Sequence, residues 1–185
     1  MKAFCAVLLA LFLCGCSVEN RELEKGMMLR SKVLKAEKVC FTADIEADYG
    51  DKLNLFSMAC EMDAEGNLVF TVVGPESISG ITGQISMGSG SLIFDEIALH
   101  FELLTDELLS PISAPWILMK ALRSGYLTSA GEESGVTRLT IDDSYEDDAL
   151  QVDIWLNEMD LPERAEICHD GRRILTLAVK DFQIR

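Results

Sequence analysis

The sequence predicts a single, mainly β domain of the α+β class. Three observations lead there. Residues 39–62 alternate apolar and polar side chains with a period of two on either side of Gly50-Asp51. Turn signals recur through the rest of the chain. Only residues 19–36 and 113–125 carry a helical pattern.

The chain begins with a different kind of segment. Lys2 precedes an apolar run from Ala3 to Leu13, too short to span a bilayer as a helix, and Leu13-Cys14-Gly15-Cys16 closes it. A secretory signal peptide has this layout. The pattern Leu-x-Gly-Cys resembles the box cut by the bacterial lipoprotein signal peptidase. That resemblance implies that residues 1–15 are a signal peptide, removed on export, and that Cys16 becomes a diacylated first residue. Two acyl chains give the stable anchoring that one does not. Residues 16–38 then form the anchor and a basic N-terminal helix, and residues 39–185 the single domain. Ser17 is not the Asp that retains lipoproteins in the inner membrane of Gram-negative cells. The expected location is the extracytoplasmic face of a membrane, the outer membrane in a Gram-negative cell.

Charge narrows the partners. The chain has 31 Asp and Glu against 16 Lys and Arg, a net charge of −15. Nucleic acid is excluded as a partner, since phosphate contacts need clustered cations. The cations that exist gather after the anchor: Arg21, Lys25, Arg30, Lys32, Lys35 and Lys38, against Glu19, Glu22, Glu24 and Glu37. An anionic bilayer surface attracts such a segment and holds off the acidic body. A solvated helix with no membrane preference has the same composition.

The elements follow in order. Residues 19–36 form a helix with Leu23, Met27, Val33 and Leu34 apolar among charges, weakened by Gly26. Val39, Phe41, Ala43, Ile45, Ala47 and Tyr49 then make one face of a strand, and Phe56, Met58, Cys60 and Met62 one face of the next. A two-residue Gly50-Asp51 turn sets Ile45 opposite Phe56, Ala43 opposite Met58 and Phe41 opposite Cys60, so both apolar sets share a face. In that register Cys60 faces the core and Cys40 faces away, which opposes a disulfide between them. Cys168 is the third cysteine beyond the anchor, and the spacing of the three fits no zinc pattern.

A third strand, at about residues 68–73, follows the Glu65-Gly66-Asn67 turn. Residues 74–91, rich in Gly and Ser, read as one twisted strand with glycine kinks, and residues 92–104 as one or two short strands. Residues 105–109 read as a helical turn stopped by Pro111. Ser113 fits a helix N-cap with Pro115 in the first turn. The helix that follows carries Trp116, Ile117, Leu118, Met119, Ala121 and Leu122 around most of its circumference, interrupted only by Lys120 and Arg123. Such a helix is buried on several sides. Strands are expected at 126–129, 136–141, 150–156, 164–169 and 173–184. In the last of these the phase breaks at Lys180-Asp181, which predicts a bulge.

Residues 150–185 carry a recognisable pattern. Leu150, Val152, Ile154 and Leu156 alternate along a strand. Asn157-Glu158-Met159-Asp160-Leu161-Pro162 turns a corner. A strand with Arg164 and Glu166, an Asp170-Gly171 turn and a strand ending near Phe182 close the chain. This resembles the C-terminal half of the lipoprotein-carrier (LolA-like) superfamily, and with the N-terminal helix and the inner apolar helix the resemblance spans most of residues 20–185. It implies a strongly curved antiparallel sheet, an unclosed half-barrel, whose helices cover an apolar cavity for acyl chains. Phe41, Ile45, Phe56, Met58, Trp116, Met119, Leu122, Val152 and Ile154 are then the expected lining.

Catalytic and metal chemistry find no support. Asp142, Asp143, Glu146, Asp147 and Asp148 cluster but lack the Gly and closing Glu of an EF-hand loop, and read as a solvated hairpin loop. His100 and His169 have no ligand partner at usable spacing. Cys168 and His169 are neighbours on a strand and point to opposite faces. GxSxG, SxxK, HExxH and phosphate-loop patterns are absent. The expectation is a monomeric, non-enzymatic, cofactor-free lipoprotein, held to a membrane through diacylglyceryl-Cys16, that binds acyl chains or lipidated cargo. The alternative is an interaction or sensory lipoprotein of the same fold without cargo.

Overall fold

The computed structural model describes residues 17–185 apart from 49, 51–52, 87–88, 95–96, 103, 106–107 and 147–148. The signal segment and Cys16 lie outside the described residues, as do Tyr49, Asp51, Asp147 and Asp148. Helix α1 spans Ser17–Lys35 and α2 spans Ala114–Ser124. The strands are β1 (Lys38–Asp48), β2 (Leu53–Asp63), β3 (Leu68–Gly74), β4 (Thr82–Ser86), β5 (Ser89–Phe94), β6 (Ile97–Glu102), β7 (Leu104–Thr105), β8 (Leu108–Leu109), β9 (Tyr126–Glu133), β10 (Val136–Asp142), β11 (Gln151–Leu156), β12 (Pro162–His169) and β13 (Arg172–Ile184).

Eleven strands form one antiparallel sheet in the order β6-β5-β4-β3-β2-β1-β13-β12-β11-β10-β9, and β7 pairs with β8 separately. The sheet is unclosed, because β6 and β9 are its two edges. Its centre is the seam where the first and last strands meet, with Val39 opposite Ile184 and Ala47 opposite Leu175. The β1–β2 register matches the alternation: Ile45 faces Phe56, Ala43 faces Met58 and Phe41 faces Cys60. Cys40 and Cys60 therefore sit on opposite faces, and both are free, as is Cys168.

Two-residue turns of the kind twisted hairpins favour set the later registers. Asp170 and Gly171 both have positive φ between β12 and β13, and Ser134 and Gly135 do the same between β9 and β10. The second turn carries β9 to Glu133, four residues beyond the expected strand. The expected bulge near Lys180 is present: the β1–β13 register shifts between Cys40 and Thr42, and Asp181 adopts a φ of 52°. It carries Phe182 back to the core face, where its ring stacks on Phe41 at 5.5 Å.

Three expectations need correction. Where residues 105–109 are expected to form a helical turn, Leu104 and Thr105 pair with Leu109 and Leu108 as β7 and β8, and Ser110 before Pro111 is extended, as proline's δ-carbon requires. Residues 74–91 are not one strand. A 3-10 turn at Glu76–Ile78, β4 and the start of β5 divide them. Ser113 does not cap α2 with its side chain. It already lies in the 3-10 turn Pro111–Ser113, and its hydroxyl donates to the Ser110 carbonyl at 2.5 Å.

Both helices lie on one face of the sheet. Gly26 of α1 allows a close approach: a β-carbon there would stand 2.9 Å from Leu139 on β10 and 3.4 Å from Leu127 on β9. Eight residues on, Leu34 borders the same cleft as Met62 of β2. That interval is about 12 Å of helix. In a flat sheet β9 and β2 would stand six spacings apart, roughly 29 Å. The sheet curls around the helices, and its concave side holds the core.

Candidate functional site

Helix α2 is the centre of the concave side. Ala114, Pro115, Ile117, Leu118, Met119, Ala121 and Leu122 are buried, so it presents apolar side chains in nearly every direction. Polar groups at its margins tie it down. The Trp116 indole donates to the Gly66 carbonyl at 3.3 Å, and Arg123 donates to the Ala64 carbonyl at 2.5 Å, both in the β2–β3 turn. Lys120 pairs with Asp143 at 2.9 Å. The Asp143 carboxylate also accepts the Leu150 amide. The acidic loop thus contributes one residue to holding α2, which its composition alone does not suggest.

The C-terminal end of α2 is capped from α1. Arg30 Nε donates to the Leu122 carbonyl at 2.8 Å, and its Nη2 to those of Gly125 at 2.7 Å and Ala121 at 3.2 Å. A cation belongs there, since the last carbonyls of a helix have no partners within it. Burial draws the Arg30 pKa below its ordinary value. A second clamp fixes α1 to β10. The buried Glu22 carboxylate accepts the Thr137 hydroxyl and pairs with Lys25 at 3.0 Å.

The expected lining residues meet on this concave face. Phe41, Ile45, Met58, Met119, Leu122, Val152 and Ile154 belong to the buried core, with Phe56 and Trp116 partly buried against it. Met58, Met119, Val152 and Ile154 are 0% exposed, and Leu122 1%. A residue without accessible surface borders no space that admits a water molecule, so the core is filled around Met58, Met119, Val152 and Ile154. Open volume lies beside α2 instead. A cleft of about 290 Å³ runs between α1, α2 and the β2–β3 turn. Leu34, Met62 and Trp116 give it apolar walls, and Glu65, Asn67, Lys120 and Arg123 a polar rim. Sequence reasoning did not single out this cleft. Its signal was Lys120 and Arg123 breaking the otherwise apolar surface of α2. A larger groove of about 430 Å³ along β9 and β10 is polar, with Glu132, Glu133, Arg138 and Thr140 among its walls.

Cys60 and Cys168 are not poised as nucleophiles. Burial pushes the Cys60 thiol far up. Burial, then the charges of Asp153 and Glu166, raise that of Cys168. Among the described residues no group of three or more His, Cys, Asp or Glu is placed to hold a metal ion.

No protein-family model matches the chain, and no curated protein matches its sequence. Several solved structures do match. One is a LolA superfamily protein from Nitrosomonas europaea, with 11% identity and a TM-score of 0.47, covering 86% of this chain and 93% of that one. Another is an outer membrane lipoprotein-sorting protein domain from Vibrio parahaemolyticus, with 10% identity and a TM-score of 0.46, covering 90% and 93%. A third is the lipoprotein LppX of Mycobacterium tuberculosis, with 11% identity and a TM-score of 0.41, covering 88% and 93%.

Proposed function

We propose that the protein is an envelope lipoprotein, anchored through diacylglyceryl-Cys16, that takes an acyl chain between the curved sheet and α2. One observation carries this reading. A helix apolar on nearly all sides is wedged under an unclosed sheet and borders a cleft with apolar walls and a polar margin. The cleft's 290 Å³ is at the small end of ligand sites, which run from about 300 to 1,000 Å³. It suits the entrance, not the whole chain. Deeper entry requires α2 to part from the sheet along Phe41, Ile45, Phe56, Met58, Met119, Leu122, Val152 and Ile154. Three of the core side chains, Met58, Met62 and, on α2 itself, Met119, are unbranched thioethers that repack readily.

The test is native mass spectrometry of protein extracted from membranes, with displacement of a fluorescent fatty acid from the purified protein. A co-purified lipid and saturable displacement are expected; absence of both would overturn the reading. The filled core around Met58, Met119 and Ile154 favours a second reading, an interaction lipoprotein without cargo. It predicts a protein partner in cellular crosslinking and no displaceable acyl chain.

A further inference from the structure

Strand β9 ends the sheet, and among the described residues no strand pairs with its outer edge. The β9–β10 register shows which backbone groups that leaves unused. Glu133 and Val136 flank the two-residue turn Ser134-Gly135 and face each other across it. Such a closing pair is hydrogen-bonded, and bonded and non-bonded pairs alternate along an antiparallel ladder. Gly131 with Arg138 and Ser129 with Thr140 are then bonded pairs, whereas the N–H and C=O groups of Ala130 and Glu132 point away from β10. From Thr128 to Glu133 every residue but the half-buried Ala130 is exposed. An open edge of this kind is a template for one more strand. The polar groove of about 430 Å³ follows the same edge, bordered by the consecutive residues Ser129 to Glu133 and by Arg138 and Thr140. At its middle Gly131 offers room, since a β-carbon there would meet nothing within 4 Å. Glu133 is engaged by Arg138 and by the Trp155 indole. The exposed Glu132 carboxylate has neither an ion pair nor a hydrogen bond.

We propose that β9 takes a further strand from a partner protein, an extended segment with Lys or Arg opposite Glu132 and a long side chain opposite Gly131. Ala130 and Glu132 supply the main-chain donors and acceptors. Neighbouring side chains of the added strand point to opposite faces of the sheet. The cation therefore meets the free Glu132 carboxylate on one face, and the next side chain lies over Gly131 in the groove on the other. In strand addition the main-chain bonds give affinity and the sites for alternate side chains give specificity. Charge selects a cationic partner over a second copy. Neither edge strand, β9 or β6, contains a Lys or Arg, and each copy carries a net charge of −15, so two copies repel each other. The edge shares no residue with the cleft beside α2, and the proposal stands apart from the acyl-chain reading.

The test uses the chain from residue 16 with Cys16→Ser, which has no acyl chain and keeps every described element. The probe is a short synthetic peptide of alternating Thr and Val with Lys-Leu at its centre. Saturable binding is expected, with slower amide exchange at Ala130 and Glu132. The same peptide N-methylated along its backbone should not bind. Glu132→Lys should weaken binding about fivefold at low salt, and less as salt rises. Ala130→Pro removes an outward N–H but no bond to β10, a position where an edge strand tolerates proline, and should abolish binding. Should that variant melt early, the N-methylated peptide puts the same question from the partner's side. No saturable binding, equal binding of the N-methylated peptide, or protection in β6 instead of β9 overturns the proposal. So does a dimer of the protein alone in which Ala130 and Glu132 are already protected, which would make a second copy the occupant.

Discussion

The two halves of the sheet share a topology and differ in how their outer faces are finished. Each is a meander running outward from the β1–β13 seam, one through β2 to β6 and the other through β12 to β9. On the outer face of the second, Arg138, Trp155 and Arg164 stand side by side across three strands. Both guanidinium groups lie over the Trp155 ring, at 5.2 and 4.7 Å. Arg138 also pairs with buried Asp153 at 2.8 Å and with Glu133 at 3.3 Å, and Glu166 takes Arg164 and Arg173. The first half shows Leu53, Leu55, Val69, Val73 and Ile93 to solvent instead. The braced half is the one α1 packs on. The difference predicts different duties: the braced meander holds α1 in place, and the other, whose hydrogen bonds to α2 run through the β2–β3 turn, is expected to deform more easily.

Matched core truncations test that division most strongly. Ile154 and Ile85 are both fully buried, one in each half. Their chemistry is the same, so a difference in cost reports how far the surroundings collapse into the void. Ile154→Ala should cost about 4 kcal/mol and Ile85→Ala about 2 kcal/mol in urea unfolding. Equal costs would break the comparison. Next in size is Asp153→Ala. Asp153 accepts from Arg138, Thr140 and Gln151, and truncation strands these groups at a cost of roughly 2–4 kcal/mol. Thermal melting reads it, and the damage should appear as faster amide exchange in β10 to β12 before it reaches β2 to β5.

The α1 clamps come third. Arg30→Met removes three donors from the end of α2, a loss of about 1–3 kcal/mol. If α2 is the moving element, fatty-acid binding should tighten or quicken as α2 loosens, even though the fold is weaker. Slower amide exchange in α2 of this variant would contradict that. Glu22 gives the acid limb. Burial pushes its pKa up, but hydrogen bonds from Thr137 and Lys25 and the charges of Lys25 and Arg21 outweigh burial and leave it below its ordinary value. A depressed carboxylate stabilises the fold above its unfolded pKa of about 4.3, and that contribution is lost as pH falls through the lower folded value. Glu22→Gln should cost about 1–2 kcal/mol at neutral pH and make the stability curve flatter on the acid side. A parallel displacement of the curve would assign the acid sensitivity elsewhere.

These clamps also mark where sequence reasoning stops. The β1–β2 register, the multi-sided burial of α2 and the bulge at Lys180-Asp181 were legible, because each leaves a local phase in the pattern. Glu22 with Thr137 and Arg30 with the carbonyls of α2 join positions about a hundred residues apart. A single charged residue among many charged residues on α1 carries no phase that names its partner. Gly26 reads as a weak point in a helix until Leu139 is seen beneath it. The cleft was partly legible in Lys120 and Arg123 but needed the β2–β3 turn to close it.

The smallest expected effect lies on the seam itself. Lys180 pairs with Asp44 at 2.5 Å across β1 and β13, and Ser57 donates to the same carboxylate at 2.6 Å. These bonds, first that from Lys180, hold the Asp44 pKa below its ordinary value. The Lys180 ammonium is exposed, so water and salt screen the pair, and Lys180→Ala should leave the melting temperature almost unchanged. The contrast with Asp153 is then one of burial, not of geometry, since both carboxylates have a close cation and a hydroxyl donor. A large loss of stability in Lys180→Ala would mean that the seam depends on its outer charges. The braced meander would then extend through β13 into β1, and the boundary between the two halves would move one strand towards β2.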